Sequence, residues 1–520
     1  MVSDSRSFHG ARFRVVIDQS AGDDRKFGSA TATLYNGSEI AARKIRFDEK
    51  RRILIPDDKI AAQSKGLEAQ GNPFAEVETF SSYSRLADKV RDDRVTQTQA
   101  LADAIVNAPR KKLPDGATPL PSLYVYFGQF LAHEVSKLSV VQNGVPANLV
   151  SPSLDLDSFF WKSQPAPTNL QSEFKTYGAW HVGETGVGLT TDPKTKDYHD
   201  LPRDKSGTPL VPDKRADSNL SLAQLQVRLT RNYLQRVTDA TVKEEQAQFV
   251  EDVQVVTLYD YLPRIINAET YHSVLREGRK MVEPGKGDPG EWEIPLEFSA
   301  AAYRFGHAMV RDSYQWSFKS KLKQQSLIEL LRRTHLMGWL DKRDPLENFV
   351  LLARWKMDIA DMAGKHAANV GLSISPNIAS QLSDLDPRLV ENAEKEVNLA
   401  ARTLELGRKT GLASAQNMWG KFGHVLEGKI LTETELINDQ SDEIQSALQC
   451  GGDAQTLADA TPLWYYTLRE AQATGNSTKL GPLAGRIVME TLHAAICAQR
   501  EGPPPEDTGV RLTDLVDCSR

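Results

Sequence analysis

YFGQFLAHEV, residues 126–135, and FSAAAYRFGHAMVRD, residues 298–312, are the two stretches on which the reading of this chain turns. Read as a helix, the first puts Gln129 and His133 four residues apart on one face, with Ala132 beside them. Glu134 is rotated about 100° from His133 and points elsewhere. One helix thus offers an imidazole and an amide to one site and a carboxylate to another. The second stretch surrounds His307 with alanine, glycine and phenylalanine and places Arg304 three residues before it. A neutral imidazole in such apolar company suits a buried metal ligand. Each histidine taken alone fits a satisfied core residue better than a site.

The surrounding composition narrows the function classes. The chain has 520 residues, 25% of them charged and 40% hydrophobic, the proportions of an ordinary globular protein. Lys and Arg number 63 against 69 Asp and Glu, a formal charge of −6, which argues against a dedicated nucleic-acid binder. No apolar run reaches the roughly 18 residues of a transmembrane helix. The N-terminus shows no secretory signal pattern, and cytoplasmic localisation is expected. The cysteines, Cys450, Cys497 and Cys518, are too few for a disulfide scaffold or a cysteine zinc site.

Two regimes follow one another. Residues 1–65 are expected to form a β-rich element, from the alternation in RFRVVID and an Asn36-Gly37 hairpin signal between apolar runs. Residues 85–500 read as a mainly α domain, and 501–520 as a Pro-rich polar tail. Helices are expected from Asp386-Pro387 to near Gly411, and through LAGRIVMETLHAAICAQ, whose stripe is Leu483, Ile487, Val488, Leu492, Ala495 and Ile496. The polar stretches 163–178 and 190–219 read as long loops. Trp464, Tyr465 and Tyr466 read as core packing.

Further candidates lie between these stretches. SPSLDLDSFFW, residues 151–161, alternates Ser151, Ser153, Asp155 and Asp157, an oxygen-rich loop suited either to a hard cation or to solvent. DKRADSN, residues 213–219, brings Arg215 just ahead of residues able to cap a helix, Asp217 or Ser218. No Walker loop, GxGxxG, HExxH or GxSxG motif is present, which removes the usual support for nucleotide enzymes, zinc proteases and serine hydrolases.

In this order, from Pro121 to Ile496, the blocks FGQFLAHEVS, SPSLDLDS, LPRDKSG, DKRADSNLSLAQLQ, LYDYLPRI, FSAAAYRFGHAMV, GRKTGLASAQ and TPLWYYTLREAQ…LGPLAGRIV resemble the animal-type haem peroxidase family, the peroxidase–cyclooxygenase superfamily, and its bacterial members most. The resemblance implies a mainly helical haem peroxidase fold. It implies that His133 is the distal catalytic histidine with Gln129 beside it, and that Arg215 is the distal arginine. His307 would be the proximal iron ligand, Arg304 a haem-propionate partner and Gln416 the partner of His307, with neighbouring Asn417 as a fallback. A calcium ion would be held by Glu134, Ser151, Ser153, Asp155 and Asp157. The implied activity is oxidation of small organic donors, or bromide or iodide, by hydrogen peroxide through a ferryl intermediate.

The chain departs from the family at informative positions. The residues that esterify haem in mammalian members are Ala132 and Ser218 here, and Asn219 follows. Neither Ala132 nor Ser218 can form a carboxylate ester, so non-covalent haem b is expected. Two other readings stand beside the peroxidase. Fatty-acid dioxygenase members place a radical tyrosine three residues before the proximal histidine, where this chain has Arg304, with Tyr303 next to it. A degenerate scaffold that binds haem or a partner without catalysis is the third. Donor identity and oligomeric state are not legible.

Overall fold

The computed structural model describes residues 83–140, 146–160, 200–201, 209–238, 241–282, 292–316, 324–334, 355–365, 369–383, 398–450, 455–498, 500, 502–505 and 509–517, plus the strand backbone between 4 and 56. The N-terminal strands β1 (Asp4–Arg6), β2 (Phe13–Asp18), β3 (Phe27–Leu34), β4 (Glu39–Asp48) and β5 (Ile53–Pro56) form an antiparallel meander in sequence order. The hairpin read from Asn36-Gly37 is present as the β3–β4 pairing, with Thr33 opposite Glu39; the turn itself lies outside the described residues. So do most of the two long polar loops, Trp161, His181, His199, His335, His366 and Cys518.

The rest is mainly helical. The helices that matter for the site are α1 (Val95–Asn107), α2 (Ser122–Val135), α3 (Leu220–Arg236), α4 (Val242–Val255), α5 (Ala268–Glu277), α6 (Leu399–Thr410), α7 (Ala415–Phe422), α8 (Leu463–Thr474), α9 (Pro482–Cys497) and α10 (Leu512–Val516). Their ends carry local signals. Asn219 caps α3 by accepting from Leu222 N at 2.9 Å, and Asn398 caps α6 through Ala400 N and Ala401 N. Gly411 closes α6 at φ +70°, where a Cβ would stand 2.7 Å from Val90 O, so glycine is required. The expected start of this helix at Asp386-Pro387 lies outside the described residues; its end near Gly411 is found.

Two expectations change. The α9 sequence reads as a helix with one apolar stripe, but the helix is buried all round, with Arg486 and Glu490 at 0% exposure. Arg486 remains inside because it donates to Glu490 at 2.9 Å, Glu427 at 2.7 Å and Ser273 at 2.8 Å. The tail at 501–520 is not uniformly polar in structure. Its Leu512, Leu515 and Val516 have i, i+3, i+4 spacing and are fully buried, and Leu512 N donates to Asp260 at 2.9 Å.

The core brings α2 and the His307 segment together. Helix α2 buries Leu123, Phe127, Phe130 and Leu131, and Tyr124 donates to Asp260 at 2.8 Å. The segment 369–375 bridges the two histidine carriers: Gly371 N donates to Leu120 O ahead of α2, and Leu372 N to Met309 O just after His307. Trp464, Tyr465 and Tyr466 are buried core residues of α8, as expected.

Candidate active site

His133 lies in the last turn of α2, one turn after Gln129. His307 lies in a short turn, Gly306–Met309, that follows a kink at Ala301 and the 3₁₀ turn Ala302–Phe305. Both histidines face one cavity of about 470 Å³. Ala132, Gln129, Ser218, Asn219, Arg215 and Arg304 line it too, so the structure assembles most of the candidates that sequence separates by up to 178 positions (307 − 129). Gln129 and the 218–219 pair are locked to each other: Asn219 donates to Gln129 Oε1 at 3.0 Å, and Gln129 donates to Ser218 Oγ at 3.2 Å.

Electrostatics keep both imidazoles neutral. Burial, then Arg215, pushes His133 down to about 3, with Asp213 opposing. Burial, then Arg304 and Arg402, pushes His307 down to about 3. Neutral imidazole is the form that accepts a proton or binds a metal. The sign for stability follows. The unfolded chain takes up protons at these histidines from about 6.5 downward, whereas the folded chain resists until about 3. Haem-free protein should therefore lose stability as pH falls from 6.5 towards 3, with the slope reduced in a His133→Gln variant. Urea midpoints across that range test this, and a midpoint insensitive to pH in both proteins would refute it.

Arg215 lines the cavity, and its guanidinium is engaged by several acceptors. Its Nε and Nη2 hold Asp213, at 2.9 and 2.6 Å. Nη1 donates to Ser136 O and Nη2 to His133 O, both at 2.8 Å. Burial pulls Asp213 up, but Arg215 and then Lys137 outweigh it and hold the carboxyl well below its usual range. The guanidinium thus satisfies the free carbonyls at the C-terminal end of α2, where a cation is also favoured by the helix dipole.

Gln416 does not reach His307. Its amide donates to Ala458 O at 2.8 Å and Thr461 Oγ1 at 2.9 Å, and accepts from Thr461 N at 2.8 Å. The long side chain finds full backbone satisfaction in the loop ahead of α8. Asn417, the fallback, accepts from Ser414 Oγ at 2.9 Å.

Glu134 and the 151–158 loop, which carry the expected calcium ligands, lie side by side. Glu134 is fully buried, and Ser158 donates to both its oxygens, from Oγ to one and from N to the other. Asp157 accepts from Ser151 N at 3.1 Å. Burial, then the nearby Asp157 and, more weakly, Asp155, raise the Glu134 carboxyl well above its usual range. Among the described residues no group of three or more His, Cys, Asp or Glu is arranged to hold a metal. The extra methylene of glutamate lets the carboxyl fold onto Ser158 and tie the loop to α2 directly. Glu134→Gln should therefore change the melting temperature by only a few degrees, roughly 1 kcal/mol, and chelator should leave it unchanged. A large loss on adding chelator would contradict this.

Sequence reasoning missed several cavity residues. Arg402, on α6, gives no local signal in AARTLEL; only tertiary packing brings it beside Arg304 and His307. Burial first, then Arg402, lowers Arg304 to about 10. Tyr261 ends a π-helical turn, Val256–Tyr261, and its hydroxyl lies against Gly128, where a Cβ would stand 2.3 Å away. Tyr303 donates to Tyr261 at 3.2 Å. Asp213 has a visible signal, its position two residues before Arg215.

The lining has one further property. Lys137, Arg215, Arg304 and Arg402 contribute four cations, and among the described residues no carboxylate lines the cavity. Phe298, Phe305, Met309, Leu327, Leu331 and Leu399 supply apolar wall. Two neutral imidazoles, apolar walls and a cationic rim fit an iron porphyrin bearing two propionates. With Ala132 and Ser218 in the wall, nothing described in the cavity could esterify it.

Fold and lining together define a mainly helical protein with a histidine-flanked cavity. Residues 243–443 match the family model for animal haem peroxidase. Among solved structures, the chain resembles peroxidase A from Dictyostelium discoideum, with 15% identity, TM-score 0.53, and coverage of 81% of this chain and 88% of that one. It also resembles the fatty acid alpha-dioxygenase of Oryza sativa, at 12% identity and TM-score 0.56, covering 84% and 78%. The Arabidopsis thaliana fatty acid alpha-dioxygenase gives 13% identity and TM-score 0.55, covering 82% and 73%. No curated protein matches by sequence. Over residues 243–443 the chain is similar to the animal haem peroxidase domain, and it shares the helical fold of these peroxidase and dioxygenase structures. That match includes Arg304, His307, Arg402 and Gln416; His133 and Arg215 lie before it.

Proposed function

We propose that this protein is a haem-dependent peroxidase that uses hydrogen peroxide to oxidise small organic donors, with bromide and iodide as further candidate donors. The observation that carries the reading is the single cavity holding His133 and His307, both neutral, within a cationic rim that has no described carboxylate. His307 would hold the iron, and Arg304 and Arg402 the propionates. Haem b would be bound non-covalently, since Ala132 and Ser218 offer no ester-forming group. Bound haem supplies a redox-active iron.

The chain's own residues do the rest. His133 accepts a proton from peroxide on its neutral ring and returns it to the departing oxygen, base then acid. Gln129, fixed by Ser218 and Asn219, orients the polar wall beside it. Arg215 is a positioning residue: clamped by Asp213, it holds the last turn of α2 and thereby the backbone of His133. Haemin titration with a Soret readout, followed by acidic organic extraction, tests the cofactor reading. A Soret band with fully extractable haem supports it; a folded protein without that band overturns it in favour of a degenerate scaffold.

Fatty-acid dioxygenation is the second reading. Tyr303 supports it, because its hydroxyl is bonded to Tyr261 and both line the cavity. Oxygen uptake with palmitate that is lost in Tyr303→Phe would favour this reading over the peroxidase.

A further inference from the structure

His307 Nδ1 is buried and meets no hydrogen-bond acceptor among the described residues. The surroundings explain why. The Trp464 ring stands edge-on to the imidazole at 66°, with centroids 6.4 Å apart. Its indole N–H is itself a donor and goes to Arg304 O at 3.3 Å. Arg304 and Arg402, the charged neighbours of His307, are donors only. The amide of Gln416 is used by Ala458 and Thr461, and the oxygen of Asn417 by Ser414. No described carboxylate lines the cavity.

We propose that His307 holds the iron through an imidazole whose second N–H meets no acceptor among the described residues. This rests on the reading of His307 as the iron ligand. An acceptor on the outer nitrogen raises the basicity of a metal-bound histidine. Without one, His307 is a weaker electron donor, and the reduction potential shifts upward relative to a site with an amide or carboxylate acceptor. Cleavage of the peroxide bond then depends on the distal side, on proton movement at His133, more than on donation through His307. The open Nδ1 makes this chain's proximal side a determinant of redox poise, which the candidate residues alone do not reveal.

The test uses the full chain loaded with haem. Resonance Raman spectra of the ferrous protein are compared with model haems bearing free imidazole, hydrogen-bonded imidazole and imidazolate. The iron–histidine stretch is expected at the free-imidazole position. A stretch at the hydrogen-bonded or imidazolate position overturns the proposal while leaving His307 as ligand. The band must vanish in His307→Ala; a band that survives overturns the ligand reading itself, as does a folded protein that takes up no haem. Midpoint potentials of Gln416→Ala and Asn417→Ala supply a second measurement. Both are expected to equal that of the unsubstituted protein, and an upward shift in either identifies a lost acceptor and overturns the proposal.

Discussion

Haemin retention is expected to fall at least about 100-fold in His307→Ala, with loss of the Soret band, because removing a metal ligand exceeds the 10–100-fold typical of losing its supporting shell. The His307 ring is neutral, since burial and the flanking Arg304 and Arg402 keep it at about 3, so no deprotonation cost offsets ligation near neutrality. The protein should remain folded, because the short turn Gly306–Met309 is held by main-chain contact of Met309 with Leu372. Spectral titration with circular dichroism as a fold control measures both. Unchanged affinity and spectrum in the variant would remove His307 from the proximal role.

His133→Ala should act differently. Haem uptake is expected to persist while kcat/KM for peroxide drops by about 10²–10⁴, the usual contribution of a general acid–base group, or roughly 3–5 kcal/mol of transition-state stabilisation. The KM for an organic donor should change little. The reason lies in the placement: His133 is the titratable group on the distal face of α2, and its neutral ring is maintained by burial and Arg215. Stopped-flow reaction of the haem-loaded variant with peroxide reads the step directly. Full peroxide reactivity would eliminate His133 as the proton carrier, and the oxygenase reading through Tyr303 would then take precedence.

Within the site, the legible part was what helical spacing can carry. Gln129 and His133 share a face because they are four residues apart, and the chain alone says so. The absence of ester-forming groups at Ala132 and Ser218 is likewise plain from side-chain chemistry once the positions are aligned. Caps such as Asn398 and the closing Gly411 have local causes and are local in structure. What spacing did not carry was the choice of hydrogen-bond partner. Gln416 was read as the partner of His307 and is bonded instead to the 458–461 segment, while Arg215 and Glu134 also bond groups the reading did not name: Asp213 with helix-end carbonyls, and Ser158.

By itself, then, the sequence determined the helical class, the two histidine-bearing stretches and the chemical types available to a cofactor. Tertiary structure decided which polar groups remain open towards the cavity. The physical reason is that a buried hydrogen-bonding group goes to whichever satisfying partner the packing brings within reach, and packing is a long-range property. Residue spacing specifies a face, while Arg402 beside Arg304, Tyr261 against Gly128 and the open Nδ1 of His307 exist only once distant segments meet.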